Sequence, residues 1–91
     1  MQSDKIKQIH FSPRFLKSFN NLPKFTQKLA DTKDEIFRKN PFDIKLHTHM
    51  LKGELNGIWS YSVNYNYRVL FRFIKNDEVL YYDIGTHEIY R

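Results

Sequence analysis

Four histidines stand in this chain, at His10, His47, His49 and His87. Imidazole is the side chain best suited to proton transfer near neutral pH. His47 and His49 lie two residues apart, so in an extended segment they share a face. An H-x-H pair can bind zinc, but no cysteine and few placed carboxylates accompany it, so a metal reading has little support. His10, beside apolar residues, reads as a surface histidine. His87 closes the triplet Gly85-Thr86-His87 after a predicted strand. Glycine there would let the chain turn sharply and expose the next side chains. Taken alone, that triplet is equally a surface turn.

Arg68 opens the hydrophobic stretch RVLFRFI, and Arg72 lies four along on the same strand face. Val69, Phe71 and Phe73 point the other way. An arginine on an open face can grip a phosphate with its forked donors. A cross-strand ion pair with Asp83 or Glu54 carries equal weight. Trp59, Tyr61, Tyr65 and Tyr67 add aromatic surface that could stack on unpaired bases. For any one of them, core packing is the commoner fate.

These residues need elements to position them. Lys7–Phe11 reads as an edge strand. Ser12-Pro13 is a helix start, with Ser as N-cap and Pro at the first helical position. Phe15, Leu16, Phe19 and Leu22 come next at helical spacing. Asn20-Asn21 turns the chain, and Pro23 opens a second helix whose apolar side is marked by Phe25, Leu29, Ile36 and Phe37. Asn40-Pro41 stops it. The period then changes. Trp59, Tyr61, Val63 and Tyr65 alternate with small polar residues, as in a strand. Arg68–Ile74 and Val79–Ile84 are two more strands, joined by a turn at Lys75-Asn76-Asp77. Leu46–Leu55 adds an extended segment at the edge. Connections this short force an antiparallel meander. The expected fold is α+β, in the order β-α-α-β-β-β, with two N-terminal helices on one face of a small twisted antiparallel sheet. The other face, left partly open, is where a site is expected.

With 91 residues, one domain spanning 1–91 is expected. Eight Phe, six Tyr and one Trp must supply much of a small core. The absence of cysteine excludes disulfides and thiolate metal sites. No apolar run suits a membrane span, and the N-terminus lacks a signal-peptide core, so a soluble cytoplasmic protein is expected. The formal net charge of +5 suggests an acidic partner, nucleic acid or protein. Residues 1–45 hold ten Lys/Arg against five Asp/Glu, whereas residues 46–91 hold five of each. The excess charge is therefore expected on the helices, away from the second-half residues.

From His49 the chain reads HMLKGELNGIWSYSVNYNYRVLFRF, and it ends DIGTHEIYR. In these segments it resembles the RelE/ParE superfamily of toxins from bacterial and archaeal toxin–antitoxin operons, nearest the YoeB and YafQ branches. The shared pattern is H-x-L-K-G-x-L-x-G-x-W-S, then Y-R-V-L-F, then G-T-H. The likeness spans essentially the whole chain, specific in the second half and architectural in the first. Two departures stand out. Trp59 and Tyr61 occupy positions that are basic in RelE-like members. Ser62 and Asn66 stand where YafQ-like members carry a histidine and an aspartate.

The resemblance implies a metal-independent, cofactor-free ribonuclease that cuts messenger RNA on the ribosome. The ribose 2′-OH would attack the adjacent phosphate, leaving a 2′,3′-cyclic phosphate and a 5′-OH. It implies His49 as general base, His87 as general acid, Arg68 as clamp on the transition-state charge, and Tyr90 as an orienting residue; the two histidine roles could be exchanged. Lys52, Tyr61, Arg72 and Arg91 are the expected RNA-binding residues. The expected partners are a cognate antitoxin, the ribosome and mRNA, with a monomeric free toxin that becomes hetero-oligomeric with its antitoxin. Two alternatives share the fold: a ParE-like inhibitor of DNA gyrase, and a degenerate toxin acting as a binding module.

Overall fold

The computed structural model describes residues 5–53 and 57–86. Strand β1 (Gln8–Phe11) leads into helix α1 (Pro13–Asn20) and helix α2 (Lys24–Lys39). A one-turn 3-10 helix (Ile44–Leu46) and the short strand β2 (His49–Met50) come after them. Strands β3 (Trp59–Ser62), β4 (Arg68–Lys75) and β5 (Glu78–Gly85) complete a five-stranded sheet in the order β1-β5-β4-β3-β2.

Local chemistry explains most of these boundaries. Ser12 caps α1: its Oγ accepts from the Phe15 amide at 2.9 Å and donates to the Tyr82 carbonyl at 2.7 Å. One hydroxyl thus satisfies a helix-end donor and ties the helix to β5. Pro23 precedes α2, and Asn40 closes it before Pro41. The two-residue turn Asn76-Asp77 joins β4 to β5.

Strands β2 to β5 form the antiparallel meander expected from their short connections. β1 differs, because it lies parallel to β5, with Ile9 opposite Val79 and Phe11 opposite Tyr81. The sheet is therefore mixed. A parallel neighbour needs a long crossover, and the intervening helices and meander provide it.

The core forms where α2 crosses the sheet. Phe37 is fully buried, with its ring centroid 4.9 Å from those of Tyr61 and Phe71 and 5.6 Å from that of Tyr81. Val69, Phe71 and Phe73 turn toward the helices as their alternation requires. Two helical positions depart from expectation. Phe25 is 73% exposed, because the buried stripe of α2 runs through Thr26, Ala30 and Phe37, about 100° around the helix from Phe25. Leu16, likewise expected inside, is half exposed.

A polar chain crosses this aromatic core. The Tyr81 hydroxyl donates to Asp34 Oδ1 at 2.7 Å, and Arg38 Nε donates to Asp34 Oδ2 at 2.8 Å. With its one hydrogen committed to Asp34, Tyr81 accepts from the Tyr61 hydroxyl at 2.9 Å. Burial pushes both phenols well above their ordinary range, so both stay protonated and the chain stays satisfied.

Candidate active site

Sheet register brings His49 and Arg68 to one face. His49 lies opposite Ser60, Ser62 is two residues beyond Ser60, and Ser62 lies opposite Arg68. Residues opposite one another, or two apart on a strand, share a face. On its other side Arg68 faces Gly85 of β5. Gly85 is thus still a strand residue, not the sharp turn suggested by its type. This face is less open than expected, since Ser60, Leu70 and Asp83 on it are buried.

The β3–β4 connection holds Arg68 in place. Its Nη1 donates to Ser62 Oγ at 3.0 Å and, at 3.4 Å, to the Asn64 carbonyl. Ser62 Oγ donates to that same carbonyl at 2.8 Å. The loop is closed by its own chemistry, because Asn64 Oδ1 accepts from the amides of Asn66 and Tyr67 at 2.9 and 2.8 Å. The Val63 amide donates to the Tyr67 carbonyl at 2.9 Å. Such an Asx turn fixes the backbone with a side chain.

A second short loop presents the histidines. Asp43 caps the 3-10 helix through the Lys45 amide, and the Thr48 hydroxyl donates to the Pro41 carbonyl. His47 closes that helix at φ 52°, in the left-handed region that few non-glycine residues adopt. Its carbonyl lies 3.0 Å from His49 Nδ1. A carbonyl can only accept, so Nδ1 carries the proton. When neutral, His49 therefore has its lone pair on Nε2.

Between the two loops lies an open depression of about 470 Å³. His47 and His49 line one part, and Arg68, Ser62, Asn64 and Tyr65 another, with Lys33 and Lys45 completing it. Among the described residues, no carboxylate lines it. A separate hollow of about 190 Å³ between the helices and the sheet is lined mainly by Phe, Tyr and aliphatic side chains, with Asp31 and Asp34 as its charged groups. Of the two, only the first can bind and act on an anion.

Lys33 and Lys45 correct the expectation that the excess charge lies away from the site. Both come from the basic first half, and both reach the depression. A signal for Lys33 was present: it falls on the buried stripe of α2, between Ala30 and Phe37, where a lysine is out of place unless its amine has somewhere to go. Lys45, in a one-turn helix, gave none.

The other expected residues divide. Arg72 is exposed on the same face of β4 as Arg68, opposite Leu80 and outside the depression. Lys52 is exposed just beyond β2, also outside it. Tyr61 is a correction. It is 1% exposed, packed on Phe37 and bonded to Tyr81, so it has no face to offer a base. His10 Nε2 pairs with Glu78 at 2.6 Å, on the far edge of the sheet. Asp83, one suggested partner for Arg68, is taken by Arg14 Nε at 2.9 Å. His87, Tyr90, Arg91 and Glu54 lie outside the described residues. Among the described residues, no three His, Asp or Glu side chains converge as a metal ion would require, and no helix is long and apolar enough to cross a membrane.

The sequence profile of the HigB-like toxins, described as the RelE-like toxin of type II toxin–antitoxin system HigB, matches residues 29–87. No curated protein sequence matches. Solved structures share the fold at low identity. The RelBE2 toxin–antitoxin complex from Mycobacterium tuberculosis has a TM-score of 0.75 at 16% identity, covering 94% of this chain and 98% of that one. YafQ from E. coli has a TM-score of 0.71 at 16% identity, with 90% and 94% covered. The YoeB–YefM complex from Staphylococcus aureus has 0.70 at 19% identity, with 87% and 94% covered.

Proposed function

Because the chain belongs to the HigB-like toxins, RelE-like toxins of type II toxin–antitoxin systems, we propose that it is a metal-independent endoribonuclease that cleaves mRNA on the ribosome and is held inactive by a cognate antitoxin. The observation that carries this reading is the depression itself. It combines a histidine with its Nε2 lone pair free, an arginine fixed by its own hairpin, and two further lysines, with no carboxylate among the described lining residues to repel a phosphate.

The steps arise from these groups. His49 Nε2 takes the proton of a ribose 2′-OH as that oxygen attacks the adjacent phosphorus. Charge builds on the non-bridging oxygens, and Arg68 meets it with the donors that Ser62 and Asn64 leave available. The bond from phosphorus to the 5′-oxygen breaks, and the leaving oxygen takes a proton from His87, a role assigned by resemblance. The products are a 2′,3′-cyclic phosphate and a 5′-OH. Tyr90 orients the reacting groups, and Lys52, Arg72 and Arg91 contribute to RNA attraction, roles likewise assigned by resemblance. The free toxin is a cytoplasmic monomer. An acidic antitoxin segment would mask the same cations that attract RNA.

The test is mRNA cleavage on translating ribosomes by the wild-type chain and by His49→Ala, Arg68→Ala and His87→Ala. A general base or acid contributes roughly 10²–10⁴-fold, so losses of that size are expected in variants that still fold. Unchanged cleavage in all three would exclude this mechanism. Gyrase inhibition without cleavage would instead favour a ParE-like poison.

A further inference from the structure

The β3–β4 hairpin carries an aromatic ring that folding does not use. Tyr65 is 87% exposed, the most exposed large hydrophobic or aromatic side chain among the described residues. Such exposure usually accompanies a mobile loop, but here the tip is tied by two amide bonds to Asn64 Oδ1 and by the bond from the Val63 amide to the Tyr67 carbonyl. The backbone on either side of Tyr65 is therefore fixed, and its side chain lines the cationic depression with most of its surface in solvent. Lys33 and Lys45 line the same depression, and neither makes an ion pair among the described residues.

We propose that this part of the depression is a nucleotide subsite, in which Tyr65 stacks on one unpaired base of an RNA strand and Lys33 and Lys45 hold a neighbouring phosphate. In taking RNA as the ligand, it rests on the ribonuclease reading. The juxtaposition is what single-stranded nucleic acid needs: an aromatic platform for a base and cations for the backbone. A base inside a duplex has no free face to offer the ring, so the subsite selects single strands. Stacking accepts every base, because each has a π-face, so Tyr65 adds affinity and register without strict sequence choice. An acidic peptide would satisfy the lysines but has no flat partner for the ring.

The experiment is fluorescence anisotropy with a labelled 2′-deoxy strand of about six nucleotides, a length within the range that aromatic-lined grooves cover. Lacking the 2′-OH, the strand cannot be cut. The proteins are the wild-type chain, Y65A, Y65F and K33A/K45A, each checked for an unchanged thermal melt. Y65A is expected to weaken binding about tenfold, while Y65F retains it. K33A/K45A is expected to lower the slope of log affinity against log salt by about 0.7 per lysine. The wild-type chain is expected to prefer the single strand over the matching duplex. The proposal is overturned if Y65A binds like the wild type, if the duplex binds equally well, or if the wild-type chain does not bind the strand. Binding needs no chemistry, so an inactive but binding protein would count against the ribonuclease reading alone.

Discussion

Arg68 and Ser62 lie opposite each other at the ends of β4 and β3, and the Arg68 Nη1 donates to Ser62 Oγ at 3.0 Å. The serine passes its own hydrogen to the Asn64 carbonyl, so its lone pairs face the guanidinium. A hydrogen bond to a charged group contributes roughly 1.5–3 kcal/mol. If that energy fixes where Arg68 meets the phosphate, Ser62→Ala will lower cleavage roughly ten- to hundredfold. Combining it with Arg68→Ala will then cost no more than Arg68→Ala alone, because the serine acts only through the arginine. Additive losses in that double-mutant cycle would show that Ser62 has a separate role.

His47 offers a test of backbone rather than side chain. Its φ of 52° directs the carbonyl that meets His49 Nδ1. The left-handed region costs an ordinary residue about 1–2 kcal/mol, but Asn tolerates it and a β-branched residue does not. His47→Asn and His47→Val remove the same imidazole. The valine variant is expected to be less stable than the asparagine variant by about 1–2 kcal/mol and to cleave more slowly. Urea unfolding midpoints and initial rates check both halves. Equal stability of the two variants would mean that the loop can relax without its left-handed residue.

Much of this arrangement is legible in the sequence. Ser12-Pro13 marks a helix start by local chemistry alone, and the alternation in RVLFRFI separates Arg68 and Arg72 from the core-facing residues. Long-range choices leave no such mark. Nothing local to Gln8–Phe11 says that it will pair in parallel with β5. Tyr61 and Tyr65 occupy equivalent places in one alternating pattern, yet one is buried and the other stands free, because β3 ends at Ser62 and the chain turns at Asn64. Sequence order likewise allows Asp83 to pair with Arg68. Only the packing of α1 beside β5 delivers Arg14 to it instead.

That Arg14–Asp83 pair predicts a stability change from residues that do not line the depression. Asp83 is 3% exposed, and its Oδ1 accepts from the Ile84 amide at 2.8 Å. Arg14 is mostly exposed, so solvent screens part of the attraction. Removing it still leaves a carboxylate without its charged partner. Arg14→Ala is expected to lose about 1–2 kcal/mol, below the cost for a fully buried pair. Cleavage by the folded fraction should be unchanged, because Arg14 does not line the depression. Denaturant unfolding at neutral pH, together with rates measured well below the midpoint, would separate the two effects.

The buried phenols set a limit at alkaline pH. Burial raises Tyr61 and Tyr81 above the ordinary tyrosine value, so in the folded chain both keep their protons where an unfolded chain would release them. Below about pH 10 both states are protonated and the full stability is present. As pH rises through that unfolded value, the unfolded state sheds protons that the folded state retains, and stability falls by up to about 1.4 kcal/mol per pH unit for each ring. Tyr61→Phe removes one titrating group together with its bond to Tyr81. It should cost about 1 kcal/mol at neutral pH, yet roughly halve the part of the alkaline slope that comes from these two rings. Urea midpoints at about pH 8, 10 and 11 for the wild type and Tyr61→Phe would show the two stability curves converging. Parallel curves would mean that Tyr61 ionises as easily in the folded chain as in the unfolded one, and that water reaches the Tyr61–Tyr81–Asp34 chain.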